Sequence, residues 1–183
     1  YCTGYEATEI LRSEGLSCKA IPSGVSDLFY IECKSPVSCD ILAVSNLYSV
    51  KNLTWVLQLA ENNTNRSFTI IGDGPNKPDL INQIQQKKIT NVHLVGNKTR
   101  QEIAAYMAGA NLFIHTSKAE GTPTAVLEAA VAGLPVITSS AGGVQNVQQY
   151  FNGTVLNSFD LGIWSDHINV VYDRELRSIE DLS

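Results

Sequence analysis

Residues 111–135, NLFIHTSKAEGTPTAVLEAAVAGLP, carry the order strand, loop, helix. The apolar run Leu112-Phe113-Ile114 leads through a short polar loop into a run of small residues, and the spacing predicts a helix that starts at Pro123 and stops at Gly133. Pro123 suits a first helical turn, where its fixed φ and missing N–H cost nothing, and Thr122 before it is placed to cap the free donors. The N–H groups of Thr124 and Ala125 then face the loop with the positive end of the helix dipole, an arrangement that attracts phosphate. Ala125-Val126-Leu127 and Ala129-Ala130-Val131-Ala132 are apolar on nearly every side, so the helix is expected to lie between neighbours. Glu128 interrupts that run, and a carboxylate in such surroundings costs roughly 2–7 kcal/mol unless something pairs with it. A second acid, Glu120, stands eight residues earlier at the mouth of the loop. The plainest alternative is an exposed Glu120 and a salt-bridged Glu128 in an ordinary buried helix.

Outward from this stretch the chain alternates. Ile41 to Ser45, Phe68 to Ile71, Val92 to Val95, Leu112 to His115 and Pro135 to Thr138 read as short buried strands, and after Thr154-Val155-Leu156 the signal weakens. Helical spacing lies between them at Asn52 to Asn62, Pro78 to Lys87, Arg100 to Met107 and Val144 to Tyr150. A strand and a helix at intervals of roughly 20–25 residues call for a parallel sheet covered on both faces, a Rossmann-like doubly wound α/β domain. Thr8 to Glu14 reads as a short helix stopped by Gly15, Leu161 to Val171 as another, and Arg174 to Leu182 as a partial one.

In open parallel sheets, ligands bind outside the carboxyl ends of the strands. The order Glu120-Gly121-Thr122-Pro123, then Glu128, with Gly-Leu-Pro-Val-Ile after it, resembles the E-x7-E signature of family 4 retaining glycosyltransferases with the GT-B fold. Other loops add to the likeness. SNLYSVK, residues 45–51, stands where that family has G-R-L followed by a lysine; Lys51 matches the lysine, whereas Asn46 occupies the arginine position and Ser45 the glycine. Gly72-Asp73-Gly74-Pro75 resembles the family's G-D-G-P turn, and Ser139-Ser140-Ala141-Gly142-Gly143 its S-x-x-G-G segment. Gly96-Asn97-Lys98 follows a strand where relatives contact the nucleotide base, mostly through backbone groups. Residues 19–26, KAIPSGVS, partly resemble the family's interdomain step I-P-N-G-V-D, with Ser23 and Ser26 in place of Asn and Asp.

The resemblance covers about residues 19–157 and implies a division into residues 1–39, the end of an N-terminal domain with the interdomain connection; 40–160, the nucleotide-sugar-binding domain; and 161–183, a truncated C-terminal helical segment. It implies that Glu128 bonds the ribose hydroxyls and Glu120 orients hydroxyls of the donor sugar. Lys51 and the N–H groups of Thr124 and Ala125 neutralise the diphosphate leaving group, with Gly121, Thr122, Asn46, Gly72, Asn97 and Gly142 around the donor. The implied catalytic pair is Glu120 and Lys51. Because the helix start and Lys51 can do that work, the resemblance implies that no metal is required, and no D-x-D motif is present; the only cosubstrate implied is a nucleoside-diphosphate sugar. The acceptor, a glycan, lipid or other molecule, binds mainly on the N-terminal domain, so this chain alone is expected to transfer little. Polysaccharide biosynthesis and peripheral membrane contact of the whole enzyme fit the same family. Two rivals are a nucleotide-sugar epimerase of the same architecture and a degenerate binding module, the latter motivated by Asn46. A dinucleotide oxidoreductase is disfavoured, because no G-x-G-x-x-G follows the first strand.

Composition agrees with such a domain. The 183 residues are 44% apolar and 17% charged, as in globular chains. A net charge of −5 without any basic stripe argues against nucleic-acid binding. Apolar runs fall short of the roughly 18–20 residues of a membrane helix, and no signal-peptide plan appears, which makes cytoplasmic the expected location. Cys2, Cys18, Cys33 and Cys39 lack C-x-x-C spacing and read as free thiols. The N-x-S/T triplets at Asn52, Asn62, Asn65, Asn97 and Asn152 are weak signals in an asparagine-rich chain, and His93, His115 and His167 form no metal motif.

Overall fold

The computed structural model describes residues 5–19, 24–30 and 37–180. Cys2, Cys33 and residues 20–23 of the connection step lie outside them. Six strands, β1 (Cys39–Val44), β2 (Phe68–Ile71), β3 (Val92–Gly96), β4 (Ala110–His115), β5 (Val136–Ser139) and β6 (Gly153–Leu156), form one parallel sheet in the order β3-β2-β1-β4-β5-β6. The helices are α1 (Tyr5–Ser13), α2 (Leu53–Asn62), α3 (Lys77–Gln86), α4 (Arg100–Gly109), α5 (Thr124–Val131), α6 (Val144–Val147) and α7 (Leu161–Glu180). The expected Rossmann-like architecture is present, and its strand order reverses between β1 and β4, which opens a crevice at their carboxyl ends.

The alternation of side chains along β1 divides the core. Ile41 and Ala43 face one layer, with Val56 and Leu57 of α2 and Trp164 and Ile168 of α7. Leu42 faces the other, with Met107 of α4, Phe113, and Val126 and Ala129 of α5. Phe29, in a 3-10 turn at Asp27–Phe29, is fully buried in that second layer. Gly109 ends α4 hard against the chain entering β1, where a Cβ would come within 1.5 Å of the Val37 carbonyl.

Three elements differ from their sequence reading. Helix α5 begins at Thr124, one residue later than expected, with Pro123 at its N-cap and no side-chain cap, so Thr122 does not cap it. Its far end agrees better: Gly133 takes φ +77° and its N–H bonds the Ala130 carbonyl, as a terminating glycine does. The segment from Val144 to Tyr150 is only one α-turn followed by a 3-10 turn at Gln148–Tyr150. Finally, α7 runs unbroken through Tyr172, because no Gly or Pro interrupts it and the buried Tyr172 ring lies under the Arg66 guanidinium at 3.7 Å.

Candidate active site

The loops at the carboxyl edge are tied to one another by backbone bonds. After β1 the Ser45 N–H bonds the Ile71 carbonyl at 3.0 Å, and the Leu47 N–H bonds that of Asp73 at 2.9 Å. Gly72 makes this approach feasible: it holds φ +140°, and a Cβ there would stand 1.9 Å from the Ser45 carbonyl oxygen. Asp73 is occupied by its own turn, accepting from the Gly74 N–H at 2.8 Å and from Lys77 at 2.6 Å. A 3-10 turn at Ser49–Lys51 then leads into α2 through Asn52 at φ +52°.

The loop after β4 is pinned to that turn. The Thr116 hydroxyl donates to the Lys51 carbonyl at 2.9 Å, and the Lys118 N–H to the Val50 carbonyl at 2.8 Å. These bonds carry Glu120 to Lys51. Its Oε1 accepts from Lys51 Nζ at 2.5 Å and from His115 Nε2 at 2.9 Å, while His115 Nδ1 lies 2.9 Å from the Thr138 hydroxyl. Only 10% of the Glu120 side chain is exposed. Burial works to raise its pKa, but the bonds from His115 and Lys51, with their charges, outweigh it and bring the pKa to about 2. An ionised carboxylate only accepts, so His115 Nε2 carries a proton.

Glu128, 8% exposed, points from α5 to a partner on α4: Arg100 Nη2 lies 2.7 Å from its Oε1. Burial raises the Glu128 pKa, against the opposing pull of Arg100. A capping box sets the arginine's position, since the Thr99 hydroxyl accepts from the Glu102 N–H while the Glu102 carboxylate accepts from the Thr99 N–H and hydroxyl. The residue that opens α4 is therefore held at the carboxyl edge, its guanidinium 5.2 Å from the centre of the Phe29 ring.

Between these pairs lies a cleft of about 450 Å³. Lys51, Glu120 and His115 line one part of it, Arg100 and Glu128 another, and Thr124 and Ala125 bring the start of α5 to its wall. Two further lining side chains, Ser45 Oγ and Thr122 Oγ1, are buried without a hydrogen-bond partner. Buried hydroxyls of that kind call for a partner, and a ligand rich in oxygen atoms supplies one.

Of the site residues expected from sequence, Glu120, Lys51, Glu128, Thr122, Thr124, Ala125, Asn46, Gly72 and Asn97 line the cleft together. Gly121 and Gly142 are not among its lining residues; the Gly121 carbonyl packs on Gly143, whose N–H bonds the Glu120 carbonyl at 3.2 Å. Sequence reasoning missed Arg100 and His115. Both carried a legible signal: His115 ends a strand at the carboxyl edge, and the Thr99-x-x-Glu102 box announces a helix that opens on Arg100.

The family described as Glycosyl transferases group 1 matches residues 38–179. The chain belongs to the group 1 glycosyl transferases. Among the curated relatives of this group 1 chain, the sulfoquinovosyl transferase SQD2 of Arabidopsis thaliana is 28% identical over 146 residues, 76% of the chain and 28% of that protein. The gpi3 subunit of the phosphatidylinositol N-acetylglucosaminyltransferase of Schizosaccharomyces pombe is 29% identical over 113 residues, 58% of the chain and 25% of that protein. The chain thus spans about a quarter of the length of these relatives. Two solved structures share the fold: Anabaena HepE in complex with UDP, with a TM-score of 0.77 at 20% identity over 93% of the chain and 53% of HepE, and Staphylococcus aureus TarM in a complex containing UDP, with 0.76 at 18% over 93% and 36%. The domain is therefore one of the GT-B glycosyltransferase type. Among the described residues, no helix is long and apolar enough to cross a membrane.

Proposed function

We propose that this chain is the donor-binding domain of a retaining glycosyltransferase, taking a nucleoside-diphosphate sugar whose hexosyl group passes to an acceptor held mainly by another domain. The observation that carries the reading is the cleft itself. At the β1/β4 reversal it sets two buried carboxylates, Glu120 and Glu128, on either side of the phosphate-seeking start of α5, with Lys51 and Arg100 beside them. Its volume suits a ligand of that size.

In this reading the leaving diphosphate sits between the Lys51 ammonium and the N–H groups of Thr124 and Ala125. These donors are fixed before reaction, so they stabilise the charge that develops on the phosphate as the glycosidic bond breaks. Protein charges suffice there without a metal ion. Glu128 takes the ribose hydroxyls. Both protein contacts to Glu120 fall on Oε1, which leaves Oε2 to accept from a hydroxyl of the donor sugar. Lys51 and His115 keep Glu120 ionised at neutral pH, so it orients the sugar as an acceptor and not as a general acid. The acceptor hydroxyl attacks from the face the phosphate leaves and gives its proton to the departing phosphate oxygen, which preserves configuration.

Calorimetric titration with UDP, GDP and ADP in EDTA tests the donor site. One nucleotide is expected to bind selectively, with its affinity reduced by about tenfold or more in Glu128→Ala, as loss of a charged hydrogen bond implies. A chain with an intact circular dichroism spectrum that binds none of the three overturns the reading.

A further inference from the structure

Position 46, where a guanidinium is expected by resemblance, carries an amide, and an amide gives a diphosphate neither charge nor a bidentate fork. Yet the cleft has a guanidinium. Among the described residues, Arg100 is the only arginine lining it, and it enters from α4, which covers the opposite face of the sheet from the α2 helix that follows Lys51. Its charge is engaged by Glu128, the residue assigned above to the ribose. The other lining lysine, Lys98, lies 3.5 Å from Glu102. Each lysine or arginine in the cleft is thus matched to a carboxylate of the protein, and the two carboxylates that line the cleft are the ones expected to take hydroxyls.

That pairing is complementary to the donor. A nucleoside diphosphate brings anionic oxygens that want cations and hydroxyls that want carboxylates. We infer that Arg100 supplies the diphosphate clamp missing at position 46, and that donor binding exchanges its partner: Arg100 passes from Glu128 to the diphosphate as Glu128 passes from Arg100 to the ribose. This rests on the donor-site reading. Its geometric basis is the asymmetric exposure of the pair, in which Glu128 is fixed in the wall at 8% while the Arg100 side chain, at 53%, is free to move toward the cleft without a core being disturbed. The two orphaned hydroxyls of Ser45 and Thr122 mark a place in the cleft where an oxygen-rich ligand completes the bonding. Ser45 is the neighbour of position 46 and Thr122 lies two residues before the start of α5.

The exchange makes a prediction that simple ribose binding does not. Inorganic pyrophosphate has no ribose to offer Glu128, so it must displace that carboxylate from Arg100 with no return. Glu128→Gln keeps the shape of the side chain and releases the arginine. Pyrophosphate is expected to bind Glu128→Gln about tenfold more tightly than the unaltered chain, as a freed charge-assisted contact implies. That gain should vanish in the Arg100→Gln, Glu128→Gln double variant, while UDP binds the single Glu128→Gln variant with a smaller gain than pyrophosphate, or with a loss. Thermal melts of both variants beside the unaltered chain confirm folding.

No tightening of pyrophosphate in Glu128→Gln overturns the exchange. So does a tightening that survives in the double variant, which would trace it to the lost negative charge alone. The nucleotide arm reports separately on the underlying reading: if UDP, GDP and ADP all fail to bind the unaltered chain, the donor site falls; if one binds and weakens in Glu128→Ala while pyrophosphate ignores Glu128→Gln, the donor site stands and the exchange falls.

Discussion

Lys51 and Glu120, 69 residues apart in sequence, meet at 2.5 Å because two loops on neighbouring strands are stapled together by Thr116 and Lys118. The pair links the two halves of the sheet across the reversal point, and it does so with charge. Lys51→Met leaves Glu120 with His115 as its one remaining partner. That loss is expected to lower stability by about 1–3 kcal/mol and to weaken nucleoside-diphosphate binding together. Urea unfolding and calorimetry on the same variant check it; a drop in binding alone would show that the pair is not structural.

Acid stability should separate the two cleft carboxylates. Glu120 has its folded pKa depressed from 4.5 to about 2, so its contribution is present above 4.5 and is lost as pH falls toward 2. Urea midpoints measured from pH 6 to pH 2 should fall more steeply for the unaltered chain than for Glu120→Gln, and parallel curves would count against the buried ion pair.

Glu128 behaves in the opposite sense. Its folded pKa is raised above 4.5, so the folded state prefers the protonated form, and stability from this group is present below 4.5 and lost as pH rises through the folded pKa. The carboxylate therefore costs stability at neutral pH. Glu128→Gln is expected to melt higher than the unaltered chain at pH 7, with the difference shrinking toward pH 4. An unchanged or lower melting temperature at pH 7 would mean that the Arg100 pair outweighs burial.

Two glycines with positive φ should respond very differently to alanine. At Gly72 the added Cβ meets the Ser45 carbonyl at 1.9 Å, so the junction between the β1 and β2 loops must open, and a cost above about 3 kcal/mol is expected with loss of the cleft. At Gly133 nothing lies within 4 Å, and the cost reduces to the left-handed backbone, about 1 kcal/mol. Equal destabilisation of the two would show that the close approach at Gly72 relaxes freely.

The alternation of short apolar runs and helical spacing was sufficient to reveal the sheet, because buried parallel strands and their covering helices impose local periodicities that a reader of sequence detects. Glu120 and Glu128 are legible as cleft residues from their eight-residue spacing across the Gly121-Thr122-Pro123 turn, and Lys51 from its match to the lysine of the family's first loop. What was not legible is who pairs with whom. The Thr99-x-x-Glu102 box puts Arg100 at a helix start and the strand pattern puts His115 at the carboxyl edge, but neither signal names a partner; the partners follow from the β1/β4 reversal, which places the ends of separate strands around one cleft. Thr122 shows the same limit from the other side: a threonine before a proline reads as a cap, yet the chain enters α5 with Pro123 itself at the cap, and the hydroxyl is left buried in the cleft wall. Helix α7 reads from the sequence as Leu161 to Val171 and a partial Arg174 to Leu182, although nothing in Tyr172-Asp173 stops a helix.

The amide at position 46 yields the last prediction. Asn46 is exposed and lines the cleft, next in the chain to the orphaned Ser45 hydroxyl, so a longer side chain there can extend into open space. Asn46→Arg adds a fork of N–H donors on the Lys51 side of the cleft, opposite Arg100. A guanidinium bonds phosphate oxygens in pairs, which an amide does not, and one such contact is worth roughly tenfold in affinity. UDP affinity is therefore expected to rise by about that factor in Asn46→Arg, with a steeper dependence on salt because one more cation meets the anionic diphosphate. The same substitution in an Arg100→Gln background should recover most of the affinity lost there, since either guanidinium then serves the diphosphate. Calorimetry of the single and double variants at two ionic strengths decides it: an unchanged affinity in both backgrounds would mean that side chains at position 46 do not reach the phosphates, and the amide would then be neutral to donor binding.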